Sequence, residues 1–131
     1  MLVALSIRDI VLIDRLDLSF GEGLCVMTGE TGAGKSIFLD ALGLAVGGRG
    51  DASLIRHGRK QATVTAEFDA AGNRAVRECL SRHGFAAAER IVLRRVLSAD
   101  GRHRAFVNDE PAAVALLRDL GGALVEIQTQ N

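Results

Sequence analysis

One short segment of this chain has the residue types that bind phosphate. Residues 29–36 read Gly-Glu-Thr-Gly-Ala-Gly-Lys-Ser and fit the pattern G-x-x-x-x-G-K-[S/T]. The glycines let successive backbone amides point at phosphate oxygens, Lys35 can reach the β and γ phosphates, and the Ser36 hydroxyl can ligate Mg²⁺. We therefore predict a nucleoside triphosphate site with this set of residues: Gly29, Glu30, Thr31, Gly32, Ala33, Gly34, Lys35, Ser36 and Ile37.

The elements on both sides of this phosphate loop support that prediction. Residues 24–27 are continuously apolar, as in a strand buried on both faces in the middle of a sheet. Residues 37–46 have apolar positions almost all round a helix, which predicts a largely buried helix that ends at Gly47-Gly48. The free amides and positive dipole end of such a helix add to the same anion site.

Most of the remaining chain predicts strands. Val3, Leu5 and Ile7 alternate with small or polar residues, and residues 16–20 alternate again, so the chain begins with two strands. Residues 62–68 form a third, half-exposed strand. Residues 91–97 and 104–107 flank a turn at Asp100-Gly101, which predicts a β-hairpin.

Two further helices are predicted from their end signals. Asn73 can cap a helix that extends to about residue 82. Residues 108–111 (Asn-Asp-Glu-Pro) read as a cap with Pro at the first helical position, and they predict another helix, which extends to about residue 120 and ends at Gly121-Gly122. Residues 123–127 then read as a short apolar strand. The fold class is therefore α/β, with parallel strands around the phosphate loop and an antiparallel β subdomain from the N-terminal strands and the hairpin.

Composition and charge narrow the class of protein. The chain has 131 residues, 48% of them hydrophobic, which suits one globular domain over residues 1–131 and argues against disorder. Lys plus Arg and Asp plus Glu are 16 each, so any contact with DNA must come from a local patch. No apolar stretch reaches the ~18–20 residues that span a bilayer, and the start lacks a basic leader, so we expect a cytoplasmic protein without a membrane partner.

The cysteines and histidines do not predict a metal site. Cys25 and Cys79 are far apart in sequence, with no C-x-x-C pair, and His57, His83 and His103 are scattered. We expect two buried, reduced thiols and no zinc site.

Three segments resemble a known family. Residues 5–13 (LSIRDIVLI), residues 27–36 with the phosphate loop, and residues 54–58 (LIRHG) are similar to the N-terminus of the RecN family of bacterial DNA-repair proteins, part of the SMC-like branch of ABC-type ATPases. The likeness continues through Gly47-Gly48-Arg49 and residues 124–127, so it spans essentially the whole chain.

The resemblance implies the N-terminal lobe of an ATPase head that binds ATP and Mg²⁺, with the coiled coil and C-terminal lobe absent from this chain. It implies action in double-strand break repair and recombination on double-stranded DNA, a homodimer joined through the heads, and association with the nucleoid. Gln130 matches the glutamine that ligates Mg²⁺ and orients the attacking water, and Gln128 is the alternative. Because the signature and the catalytic carboxylate belong to the second lobe, we expect the isolated segment to be inactive as an ATPase.

Several alternatives stay open. Arg56 lies in a loop that, in SMC-like heads, has an arginine able to approach nucleotide or DNA, or it is part of an ordinary solvated loop. Arg94 and Arg95, with residues 102–104 at the hairpin tip, form either a patch for DNA phosphates or a solvated sheet face. For the whole protein, the alternatives are another P-loop enzyme, such as a transporter-type ABC subunit or a kinase, and an ATP-dependent structural clamp with little hydrolysis.

Overall fold

The computed structural model describes residues 2–19, 32–50 and 52–128, with the backbone alone for 32–37 and 125–128. Its elements, in chain order, are β1 Leu2–Ile10, β2 Ile13–Ser19, α1 Gly32–Ala45, a 3₁₀ turn Ala52–Leu54, β3 Gln61–Asp69, α2 Arg74–Arg82, β4 Arg90–Ser98, β5 His103–Val107, β6 Glu110–Ala112 and α3 Val114–Gln128. Among these helices, none has both the length and the apolar character to cross a membrane.

The described strands form one antiparallel sheet. Their order is β2-β1-β3-β4-β5-β6, and each neighbouring pair is antiparallel. The predicted N-terminal strands, the strand after the loop and the hairpin are thereby confirmed. The apolar run at 24–27, which was expected to bring parallel pairing, lies outside the described residues.

One face of this sheet forms the core. Alternate residues of β3 (Val64, Ala66 and Phe68) are all at most 1% exposed and belong to the same buried cluster as Ala41 and Leu44 of α1. Period-two alternation gives this result directly, because the intervening side chains point to the opposite face. That opposite face is polar and half-exposed on β3.

A β-bulge changes the predicted alternation of β1. The register of β1 against β3 shifts between Leu2 and Ala4, so Leu2 points into the core and Val3 is only half-buried. Leu5 and Ile7 are fully buried, as predicted. The bulge depends on pairing with a strand about sixty residues away, which local alternation does not report.

Helix α1 ends as predicted and is less buried than predicted. The Gly48 amide donates to the Gly43 carbonyl at 2.8 Å and the Gly47 amide to the Leu44 carbonyl at 3.1 Å, with Gly47 at φ +88°, which is a Schellman C-cap. Leu39, however, is 64% exposed, because the described elements cover only one side of the helix. The prediction of a largely buried helix therefore holds for Ala41, Leu44 and Ala45 but not for Leu39.

Helix α2 confirms its predicted cap. Asn73 has extended backbone geometry, and its side chain accepts a hydrogen bond from the Val76 amide at 3.1 Å. Val76, Cys79 and Leu80 are buried, at the i, i+3, i+4 spacing of an amphipathic helix.

The predicted start of the last helix is wrong. Asn108 and Asp109 have φ of 49° and 69°, so they form a left-handed turn instead of a helix cap. The Asn108 side chain accepts from the Val92 amide at 2.8 Å, which keeps this segment in the sheet. Pro111 pairs with Phe106 in β6 at the end of the strand order, a position where the missing amide proton of proline costs little. Helix α3 begins later, at Val114.

The predicted end of that helix and the strand at 123–127 are also wrong. Helix α3 continues through Gly121 and Gly122 to Gln128. A Cβ atom on Gly121 would lie 2.5 Å from the Val46 Cβ, so this glycine permits close packing of α3 against the end of α1. Tertiary packing, and not helix termination, explains why glycine stands there.

Candidate nucleotide site and basic surfaces

The phosphate loop enters α1 at its first residue. Gly32 begins the helix, so the first-turn amides belong to residues of the loop itself and have no partner within the helix. No acidic side chain lies in this first turn to compete for the positive end of the dipole. The backbone of 32–37, which includes Lys35, Ser36 and Ile37, is thus helical, whereas Gly29, Glu30 and Thr31 lie outside the described residues.

The far end of α1 is fixed by α3. A Cβ on Gly47 would lie 2.6 Å from the Arg118 amide nitrogen, and Gly121 meets Val46. Gln128 is the last residue of α3, and Gln130 lies outside the described residues.

Arg56 lies against the turn between β1 and β2. Its amide donates to the Asp9 carbonyl at 2.7 Å, and its guanidinium Nη1 lies 3.8 Å from Asp14 Oδ1. Arg59 adds ion pairs of 3.5 Å to Asp9 and 3.6 Å to Asp14. Asp9 adopts φ 57°, which turns its carbonyl toward the loop. The loop with Arg56 is thus attached to the first hairpin, with its side chain only partly exposed.

Arg95 is not part of an exposed basic patch, which corrects its grouping with Arg94. It is 4% exposed, and its Nη1 donates to the carbonyls of Leu44 and Gly48 at 3.0 and 2.9 Å. Its Nη2 lies 3.1 Å from His103 Nδ1. The cation therefore binds the C-terminal carbonyls of α1, where the helix dipole is negative. Burial, and secondarily the charge of Arg118, lowers the pKa of Arg95.

The sequence contains a signal for this inward position. Leu93 and Leu97 are buried core residues of β4, and Arg95 lies midway between them on the same face. Arg94 lies on the opposite face, with its guanidinium 4.2 Å from the Phe106 ring centroid and 3.4 Å from Asp109.

The hairpin tip keeps its exposed basic residues. Arg102 and Arg104 are exposed, and Arg102 lies 3.6 Å from Asp100 across the turn. His103 is exposed as well, although it is tied to Arg95.

A cysteine, a histidine and an aspartate do come together in the fold. The ligand atoms of Cys79, His83 and Asp119 lie within 4.8 Å of one another, and His83 Nε2 is 3.5 Å from Asp119 Oδ2. Burial, with a second contribution from the charge of Asp119, raises the pKa of the Cys79 thiol. A metal-bound cysteine must be a thiolate, so this environment favours a buried thiol beside a surface His-Asp pair.

Comparison with known proteins places the chain in a family. A domain model described as "AAA domain" matches residues 4–105. The DNA repair protein RecN of Xylella fastidiosa strain Temecula1 is 41% identical over 131 residues, which is 100% of this chain and 24% of that protein. RecN of Bacillus subtilis is 39% identical over 132 residues, again over 100% of this chain and 23% of that protein. The chain thus spans about a quarter of the length of these relatives.

Solved structures agree on the fold. A structure from work on ATP-driven dimerization and DNA-stimulated activation of SMC ATPases has a TM-score of 0.73 at 23% identity, over 95% of this chain and 79% of that chain. The SMC head domain from Thermotoga maritima has a TM-score of 0.67 at 20% identity, over 90% of this chain and 41% of that chain. The fold is therefore that of a P-loop ATPase head. By the domain model that matches residues 4–105, the chain belongs to the AAA-domain family, and it is similar along its whole length to an N-terminal segment of RecN proteins.

Proposed function

We propose that this chain is the ATP-binding lobe of an SMC-like ATPase that acts in DNA double-strand break repair and recombination. One observation carries the proposal. A complete phosphate-loop pattern runs into the first turn of α1, in a chain similar to RecN proteins from end to end. Curled backbone amides, a lysine and a hydroxyl at this spacing bind the triphosphate and its Mg²⁺.

In this proposal each site residue has a defined role. Lys35 neutralises charge on the β and γ phosphates, and Ser36 ligates Mg²⁺. Gln130 completes the metal site and orients the attacking water, with Gln128 as the alternative. Arg56 lies in the loop after α1, which is attached to the first hairpin through Asp9 and Asp14, and from there it approaches nucleotide or DNA.

A second lobe of the same polypeptide completes the reaction centre. Leu39 is 64% exposed on α1, while Ala41 and Leu44 on the same helix are buried, so one side of α1 is left for another partner. An exposed leucine on the phosphate-binding helix is accounted for if that lobe packs against it. The heads then form a homodimer around ATP, in a cytoplasmic protein associated with the nucleoid.

Calorimetry of Mg·ATP binding to the full-length protein tests the site. Lys35→Ala is expected to weaken binding at least about tenfold, because it removes a charge-assisted contact to phosphate. Lys60→Ala is the matched control, since Lys60 is the only other lysine in the chain and lies in an exposed loop. Equal binding by the Lys35→Ala variant and the wild type would refute the proposed site.

Phosphate release tests the division of labour between the lobes. The isolated segment is expected to show negligible ATPase activity, because the catalytic carboxylate and the signature come from the second lobe. Robust turnover that depends on Lys35 would contradict this. For the full-length protein, head dimerisation that is the same with ATP and a non-hydrolysable analogue, without measurable turnover, would favour a clamp over a motor.

A further inference from the structure

A cavity of about 580 Å³ opens where the end of α1 meets β4, β5 and the first half of α3. Four basic side chains line it: Arg49, Arg95, His103 and Arg118. The backbone of Gly47, Gly48 and Gly50 forms part of its wall, which keeps side-chain bulk out of the cavity. Among the described residues, no aspartate or glutamate lines it.

The charges in this cavity lack compensation from the part of the chain that is described. No carboxylate of residues 2–19, 32–50 or 52–128 lies within ion-pair distance of the guanidinium groups of Arg49, Arg95 or Arg118. Arg95 is almost fully buried, and its Nε has no hydrogen-bond partner. Several like charges around one concave space repel each other, and a bound anion relieves that repulsion.

The donors in the cavity are oriented. Arginine can only donate, so His103 Nδ1 must accept from Arg95 Nη2, and neutral His103 then has its proton on Nε2. The exposed imidazole therefore presents an N–H donor. Arg49 and Arg118 add planar guanidinium groups on exposed side chains, whose fork geometry matches two oxygens of a phosphate.

This cavity is separate from the phosphate loop. It lies at the C-terminal end of α1, and 14 residues at about 1.5 Å each make that helix about 20 Å long. A second cavity of about 440 Å³ shares His103 and Val114 with the first and adds Arg104. The basic surface therefore continues beyond one phosphate group along the edge of the sheet.

We propose that this cavity is a second phosphate-binding site, formed by Arg49, Arg95, His103 and Arg118 at the opposite end of α1 from the nucleotide. Its ligand is a phosphate group, supplied either by a nucleic-acid backbone or by a free phosphate compound. The assignment of the phosphate to a nucleic-acid backbone rests on the proposed function. The inference that the cavity binds a phosphate group does not depend on that function.

The test uses full-length protein with Lys35→Ala, which weakens phosphate binding at the nucleotide site. In this background, Arg49→Gln is combined with Arg118→Gln. Both side chains are exposed, and neither makes a hydrogen bond or an ion pair with another described residue. The control combines Arg74→Gln with Arg82→Gln, which removes the same charge from exposed positions on α2 outside both cavities. Urea unfolding establishes that both double variants are folded.

Two probes then distinguish the sources. Inorganic phosphate, compared with chloride at equal ionic strength, is expected to raise the melting temperature of the control but not of the cavity variant. A fluorescent DNA duplex, followed by anisotropy across a salt series, is expected to bind the cavity variant about tenfold more weakly, with a log-log salt slope smaller by about two. A loss in the phosphate assay alone identifies a free phosphate compound, and a loss in the DNA assay identifies a backbone phosphate.

The proposal is overturned if the cavity variant and the control behave alike in both assays. That failure is distinct from failure of the nucleotide site, because Mg·ATP binding is measured with Lys35 intact and should be the same in the cavity variant and the control.

Discussion

Arginines near the two sides of the loop after α1 lie in opposite electrostatic settings. Arg56 and Arg59 face the turn between β1 and β2, where Asp9 and Asp14 provide carboxylates at 3.5 to 3.8 Å. Arg95 and Arg118 line a cavity without an acidic group among the described residues. Composition alone makes these regions look alike, since both are arginine-rich and close to glycines.

The difference separates two uses of the same side chain. Surface pairs such as those of Arg56 and Arg59 contribute little free energy each, but they keep a loop in register with its neighbour. A buried arginine that binds backbone carbonyls contributes to the fold, and its exposed neighbours remain available to an external anion. Arg95 therefore has two roles. Its Nη1 donates to the Leu44 carbonyl at the end of α1, and its Nη2 orients the His103 ring.

The largest effect on stability is expected from Arg95→Leu. The substitution leaves the Leu44 and Gly48 carbonyls without their donor and removes a favourable charge from a helix C-terminus. We expect the free energy of unfolding to fall by about 2–4 kcal/mol, measured by urea denaturation.

Arg94→Leu is the matched control for this prediction. Arg94 is the adjacent residue, but it lies on the open face over Phe106 and beside exposed Asp109. Its loss is expected to cost less than about 1 kcal/mol. If both variants lose the same free energy, the contrast between buried and exposed arginines fails.

An intermediate effect is expected where α3 meets the end of α1. Gly121→Ala puts a methyl group 2.5 Å from the Val46 Cβ, so we expect a loss of about 1–3 kcal/mol on unfolding. Gly122→Ala has no atom within 4 Å and lies in the same helix, so it should be neutral or stabilise by up to about 1 kcal/mol. Equal effects of the two alanines would show that the helices do not pack this closely.

Elements governed by local rules could be predicted from the sequence. The alternation of residues 62–68 gave β3, Asn73 gave the start of α2, and Gly47-Gly48 gave the end of α1. At the two helix ends the decisive hydrogen bond joins residues at most five positions apart, and the alternation of β3 lies within the strand itself. The phosphate loop could be identified for the same reason, since its chemistry depends on short spacing.

Features set by distant contacts could not be predicted in this way. Gly121 reads as a helix stop. A side chain is excluded there, however, because Val46, 75 positions earlier in the chain, packs against this position. Asn108 reads as a helix cap, yet it bonds Val92 across the sheet. The cavity likewise combines residues from the loop after α1, β4, β5 and α3, so no local pattern contains it.

The smallest effect is expected on the paired side of the comparison. Asp14→Asn removes the carboxylate that both Arg56 and Arg59 approach, at 3.8 and 3.6 Å. All three side chains are more than a third exposed, so the loss in free energy of unfolding should stay below about 1 kcal/mol and shrink further in high salt. Urea denaturation at low and high salt measures both. A loss above about 2 kcal/mol that persists in salt would mean that these pairs fix the Arg56 loop as firmly as Arg95 fixes α1, and the two regions would no longer differ in kind.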